Sequence, residues 1–271
     1  MIPGRIRFVL DRPQTAENLG AAARAMKNFG LTRLAVVAPP SWAGPPRTPG
    51  RPRPSGGEGG RPRTGRDDVL ERARRTARKA SDLLAAAEVH ADLRSALGPA
   101  TWACGTTSRA VEGRPRLDPR ALAAELVRRA GAGEVAVVFG QERRGLSDAE
   151  LELCQAVCSI PTSPGYDSMN LAQAVAVVAY EVALAGGEAA PAPAPGQGGG
   201  ARHETVEALW DRARAVLGRA GYLNPQNPDH ILADLRRLLA RADPTQREVE
   251  LLVAALRAVE RRLGPEGPGP G

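Results

Sequence analysis

Val135-Ala136-Val137-Val138-Phe139 runs directly into Gly140-Gln141-Glu142-Arg143-Arg144-Gly145-Leu146. An unbroken apolar run of this length reads as a strand buried on both faces, the place of a central strand in a parallel sheet. The glycine-bounded polar loop behind it stands at the strand's carboxyl end, where open α/β sheets hold their ligands. Upstream, residues 6–10 form a second apolar strand and residues 18–29 a helix. Leu19, Ala22, Met26 and Phe29 make that helix's buried stripe, and Gly30 ends it. Residues 34–37 follow as a strand, and Glu17, Gly20, Arg24 and Lys27 share the helix face turned away from the core. With no side chain at Gly20, that face is open to a ligand beside Arg24. Further along come a long helix over 67–87, a short strand over 89–93 and a strand ending in 101–108. Ser147 with Glu150 makes a capping box. The last element, residues 171–184, is a helix apolar nearly all round and so deeply buried. This alternation predicts an α/β fold, a mostly parallel sheet with helices on both faces.

Composition divides the 271 residues further. Residues 1–185 carry the α/β pattern, interrupted at 44–66 by Pro, Gly and Arg that cannot pack a core and read as a disordered basic insertion. Between 47 and 66 six arginines face Glu58 alone, so five of the seven net positive charges lie there. Residues 186–202 are a Pro/Gly/Ala linker, 203–264 a small all-helical domain, and 265–271 a disordered tail. The net charge of +7 suits an RNA partner. Within the helical domain ten basic residues meet nine acidic ones, so only the cluster Arg236, Arg237 and Arg241 marks a face for RNA. No apolar run approaches the roughly 20 residues that span a bilayer. The N-terminus carries no signal-peptide stretch, so the expectation is a cytoplasmic protein with no membrane partner. Cys104, Cys154 and Cys158 lie far from any histidine cluster and read as structural thiols, with no metal site.

Three loops at strand carboxyl ends are rich in Gly, Ser, Thr or Asn: 104–108, 139–146 and 160–170. Neither a GxGxxG nor a Walker lysine is present, and no Ser-His-Asp arrangement emerges. Taken alone, the second loop is equally a turn before a capped helix. Asn18 and Asn170 both sit where a helix N-cap is needed, and Glu142 is also a candidate salt-bridge partner.

In combination these segments are specific. Asn18-x-Gly20-x-x-x-Arg24, Phe139-Gly140-x-Glu142-x-x-Gly145-Leu146, Ile160-Pro161 and Ser168-Met169-Asn170-Leu171-Ala172-Gln173-Ala174-Val175 resemble, in order, the three motifs of the SPOUT RNA ribose methyltransferases, the TrmH group. Leu209-Trp210, Gly221-Tyr222-Leu223, Leu235-Arg236-Arg237-Leu238-Leu239 and Pro244 resemble the C-terminal helical domain of the TrmJ branch.

That resemblance implies a trefoil-knotted parallel sheet, a homodimer whose two subunits complete each site, and S-adenosyl-L-methionine as cofactor. It also implies tRNA as substrate, methylated on the ribose 2′-hydroxyl of the pyrimidine at anticodon-loop position 32. Carried over by residue, the cofactor contacts are Thr106, Thr107, Ser108, Gly140, Ile160, Asp167, Ser168 and Met169, with Ile160 and Met169 flanking the adenine. The catalytic positions are Asn18, Arg24, Glu142, Ser168 and Asn170. Met169 stands where Leu is usual, a volume-conserving exchange, and Asp167 where a small polar residue is common. Arg24 is the residue assigned to the 2′-hydroxyl, as base or positioner. Arginine as a residue type holds its proton in proteins, so positioning is the less costly role.

Overall fold

The computed structural model describes residues 2–37, 65–165, 168–187, 200–224 and 226–263. Most of the basic insertion, most of the linker, Asp167 and the tail lie outside them. Seven strands form one sheet: β1(Ile6–Asp11), β2(Arg33–Val37), β3(Glu88–His90), β4(Trp102–Thr106), β5(Arg116–Leu117), β6(Val135–Phe139) and β7(Ala156–Cys158). Their order is β3-β2-β1-β6-β4-β7-β5, and every neighbouring pair is parallel. The apolar run 135–139 is thus the middle strand, buried at all its positions between β1 and β4.

Side chains alternate between the sheet's two faces. Phe8, Leu34, Val137 and Phe139 point to one side, where they meet α1(Ala16–Asn28), α2(Gly65–Ala77), α3(Ser81–Ala85), α5(Pro119–Ala130) and α7(Leu171–Gly187). Val9, Ala35, Ala103 and Val138 point to the other, against α4(Leu93–Leu97) and α6(Asp148–Leu151). Helices therefore cover both faces.

The helix expected at 18–29 begins two residues earlier. Thr15, not Asn18, is its cap, the threonine hydroxyl accepting from the Asn18 amide at 3.4 Å. Gly30 ends it in the left-handed region at φ 72°. The face left open in the sequence reading is in fact covered. A Cβ on Gly20 would overlap Ala73 O and Thr76 Oγ1 of α2. Glu17 pairs with Arg72 at 2.9 Å, and Lys27 with Asp82 at 2.6 Å. Gly20 is buried because two helix backbones meet there, so its reading as an opening for ligand is corrected. Arg24 alone of that set stays exposed without a partner among the described residues.

Two other elements also differ. The long helix over 67–87 breaks at Arg78, whose φ is 53°, into α2, a 3-10 turn and α3. The strand expected over 89–93 covers 88–90, after which Asp92 caps α4 by accepting from the Ser95 amide at 2.7 Å. Cys104, Cys154 and Cys158 are buried thiols.

The C-terminal domain is a bundle of α8(His203–Arg219), α9(Pro228–Ala242) and α10(Gln246–Leu263). It is seated against the sheet domain: the His203 amide donates to Ala100 O at 2.7 Å, Arg94 pairs with Asp211 at 2.7 Å, and Arg129 with Asp243 at 2.9 Å. The basic cluster read as RNA-facing is divided. Arg236 pairs with the buried Glu207 at 2.7 Å and lies over the Trp210 ring. Arg237 pairs with Asp234 and packs against Gly113 of the sheet domain. Only Arg241 stands exposed and unpaired among the described residues. A guanidinium engaged by a buried carboxylate is no longer offered to a phosphate.

Gly20→Val forces α1 and α2 apart and is expected to cost about 1–3 kcal/mol. The midpoint of urea unfolding reads this, and an unchanged midpoint would mean that α2 is not seated there.

Candidate active site

The three polar loops follow β4, β6 and β7, which are adjacent in the sheet around β4. Their backbones hold one another. Thr106 Oγ1 donates to Val138 O at 3.0 Å, and the Thr107 amide to Cys158 O at 2.9 Å. In the second loop the Gly145 amide donates to Gln141 O at 2.9 Å, with Gly145 at φ 65°. That tight return folds Gly145 and Leu146 over Gly140, where a Cβ would overlap their backbone. Ser147 and Glu150 then close the expected capping box, and Arg12 reaches from the end of β1 to both Asp11 and Glu150.

Between the loops lies an open cleft of about 290 Å³. Thr106, Thr107, Ser108, Gly140, Ile160, Ser168 and Met169 line it, as does Glu142. Every cofactor position taken from the resemblance is therefore gathered on one cavity, except Asp167, which lies outside the described residues. The volume is near the lower end for small-molecule sites. Its chemistry is mixed: apolar Ile160 and Met169, three hydroxyl side chains on one loop, and a glycine wall. Those features suit a flat heterocycle joined to a polar tail. Arg109, Arg143 and Arg144 also line it. Sequence reading passed over these three, although two of them lie inside the quoted motif. Cys158 touches the cleft, but burial and the nearby Asp118 push its thiol up to about 12. It stays protonated and is no nucleophile.

Glu142 organises the polar side of the site. Its carboxylate accepts from the Gln14 amide at 2.8 Å, the Thr15 amide and hydroxyl at 3.2 Å each, and Asn18 Nδ2 at 2.9 Å. Asn18 Oδ1 in turn accepts from Asn170 Nδ2 at 3.0 Å. Asn170 Oδ1 accepts from the Ala172 amide at 2.9 Å, which caps α7. The cap reading of Asn170 therefore holds together with its place in the site. The cap reading of Asn18 and the salt-bridge reading of Glu142 do not, since Thr15 caps α1 and the carboxylate's donors among the described residues are all neutral. Burial works against the charge on Glu142, yet the bonds from Asn18, Gln14 and Thr15 outweigh it and hold the carboxyl below its ordinary value.

Arg24 is absent from this assembly. It is exposed on α1, does not line the cleft, and makes no ion pair among the described residues.

Comparison with known proteins sets these residues in a family. The model described as "SpoU rRNA Methylase family" matches residues 63–180, and that described as "tRNA methyltransferase TrmJ, C-terminal domain" matches 204–267. The tRNA (cytidine/uridine-2′-O-)-methyltransferase TrmJ of Klebsiella pneumoniae is 32% identical over 262 residues, covering 95% of this chain and 97% of that protein. The chain belongs to the TrmJ family. A TrmJ of Pseudomonas aeruginosa, named as a tRNA (cytidine/uridine/adenosine-2′-O-)-methyltransferase, is 33% identical over 95% of this chain and 94% of that protein. The crystal structure of TrmJ from Z. mobilis superposes with a TM-score of 0.72 at 30% identity, over 94% of this chain and 98% of that one. The TrmJ match takes in both domains, so the sheet and the three-helix bundle belong to one family architecture.

Because Glu142 titrates lower folded than unfolded, its contribution to stability is complete above the ordinary value of 4.5 and is lost as pH falls through the depressed folded value. Wild type should therefore exceed Glu142→Gln in unfolding free energy at pH 7, with the gap shrinking near pH 3. A gap that stays constant with pH would contradict the relay.

Proposed function

We propose that this chain transfers the methyl group of S-adenosyl-L-methionine to a ribose 2′-hydroxyl of tRNA, at the pyrimidine of anticodon-loop position 32. It does so in the cytoplasm as a homodimer of knotted domains. The observation that carries this reading is the family match over nearly the whole chain, joined to a single cleft lined by every described cofactor position.

The sulfonium supplies an already activated methyl, so the chain's work is to align the nucleophile and let its proton depart. Thr106, Thr107 and Ser108 offer hydroxyls and backbone groups to the cofactor, Gly140 lets the second loop approach it, and Ile160 and Met169 flank the adenine. Ser168, at the mouth of the cleft, faces both cofactor and ribose. Glu142, through Asn18 and Asn170, fixes the α1 and α7 N-termini against the second loop. The charge it keeps is a fixed acceptor for the ribose.

Arg24 orients the 2′-hydroxyl and its neighbouring phosphate, and the proton leaves to solvent or substrate. Since Arg24 stands outside its own chain's cleft, the reading gives each site the arginine of the other subunit. Support comes from α7, which is too apolar for a water-facing helix: Tyr180 is 49% and Leu184 47% exposed, beside Phe29 at the end of α1. Pairing of α1 and α7 between two copies would cover that face.

The helical domain grips the tRNA, Arg241 on α9 being a cation without a partner among the described residues, and its match to the TrmJ C-terminal domain favours tRNA over ribosomal RNA. The arginine-rich 44–66 segment adds sequence-independent attraction to phosphates.

Mapping 2′-O-methyl groups in tRNA with and without the gene tests the substrate. Loss confined to position 32 is expected, and loss elsewhere would refute the site. In the purified protein, Arg24→Ala should lower the rate more than tenfold, above about 1.4 kcal/mol of barrier, with adenosylmethionine affinity unchanged. A retained rate would remove Arg24 from the machinery.

A further inference from the structure

The three loops come from three separate strands, and a ligand that must order them on arrival binds more weakly than one that meets them already ordered. Beside the direct bonds of Thr106 and Thr107, the loops are linked through the segment Arg109-Ala110-Val111-Glu112-Gly113-Arg114-Pro115-Arg116, which leaves the first loop and enters β5. At one end Arg109 Nη2 donates to Leu146 O of the second loop at 2.7 Å, and Arg109 Nη1 pairs with Asp148 at 3.0 Å. At the other, Arg116 Nη2 donates to Ser159 Oγ at 2.8 Å, one residue before Ile160, and lies 3.4 Å from Ser108 O. One arginine thus staples the first loop to the second, and the other staples the first to the third.

Between the staples the segment is held from both sides. Arg114, almost fully buried, donates to Cys154 O at 3.2 Å. The Val157 amide of β7 donates to Pro115 O at 2.9 Å. The turn itself is at Gly113, with φ 71°, and a Cβ there would stand 2.5 Å from Arg237 Cδ and 3.3 Å from its Nε. Arg237 belongs to α9 of the helical domain, so a residue of that domain rests directly on the turn joining the two staples.

We propose that residues 109–116 form a brace through which the helical domain sets the order of the cofactor cleft: Arg109 and Arg116 pin the three loops together, and Arg237 bears on the turn between them. This rests on the reading of the cleft as the adenosylmethionine site. Arg109, Arg116 and Arg237 are positioning residues, since each acts through backbone it holds in place. The helical domain then has two duties, gripping RNA and preordering a cleft it does not line.

The test uses the full chain without RNA. Calorimetry with adenosylmethionine and amide hydrogen exchange are compared for wild type, Arg237→Ala, Arg116→Met and Arg116→Lys, with Arg262→Ala on the exposed end of α10 as control. Arg116→Met should weaken adenosylmethionine about tenfold, and Arg116→Lys should recover part of that through its remaining donor to Ser159. Arg237→Ala should weaken it about fivefold. In both weakened variants exchange should quicken at the amides of Thr107, Arg109, Val157 and Ser159 and stay unchanged in β1 and β2. Arg262→Ala should match wild type. Wild-type affinity and exchange in Arg237→Ala would overturn the proposal, as would faster exchange spread evenly over the sheet. If the wild-type chain binds no adenosylmethionine, the reading of the cleft fails, and the exchange comparison still decides the brace.

Discussion

Glu142 is a carboxylate held charged in a half-buried place by neutral donors, and the rest of the site is arranged around that constraint. Leaving such a group underbonded would cost far more than a surface acid costs, so the chain brings donors to it from elsewhere. The Gln14 and Thr15 amides fix how the chain leaves β1, and Asn18 fixes the first turn of α1. Asn18 passes the constraint to Asn170 and hence to the start of α7. Three segments more than 120 residues apart at their extremes are thereby registered to one oxygen pair. The tight return from Gln141 to Gly145, possible because Gly140 has no side chain, sets where that pair sits.

Much of this was legible where local chemistry and tertiary demand agree. The run 135–139 could only be a strand buried on both faces, and it is the middle one. Ser147 and Glu150 close their box because both halves of it lie within one turn. The described positions that the resemblance assigned to the cofactor line one cleft because each is carried on a loop at a strand's carboxyl end. What could not be read depended on partners remote in sequence. Gly20 looks open on a helical wheel because the wheel contains no α2. Arg236 looks like part of a basic patch because Glu207 is 29 residues away, and Arg237 because its seat on Gly113 is remote, although its partner Asp234 lies only three residues before it. Asn18 looks like a cap because its partner Glu142 is 124 residues away, although Thr15, three residues before it, is itself a residue type that caps helices.

Arginine is so abundant here that its presence says little, and its pairing says more. Arg7, almost wholly buried, is matched by Glu134 at 2.6 Å and Glu88 at 2.8 Å, and serves the sheet. Arg94 and Arg129 serve the seam between domains, and Arg236 ties α9 to α8 within the helical domain. Arg24, Arg143 and Arg144 remain exposed and unpaired among the described residues, the last two on the rim of the cleft. The two free guanidinium groups on that rim are what an anionic polymer would meet first there.

In the proposed dimer the cleft of one subunit works with the arginine of the other. Mixed dimers test it most directly. Arg24→Ala and Glu142→Ala, each expected to be all but inactive alone, are unfolded together, refolded as a mixture and assayed for tRNA methylation. If Arg24 acts across the interface, half the dimers are mixed and each carries one intact site, so about a quarter of wild-type activity returns. If the mixture stays as inactive as its parents while mixed dimers are shown to form, Arg24 acts within its own chain and the account of the site is wrong.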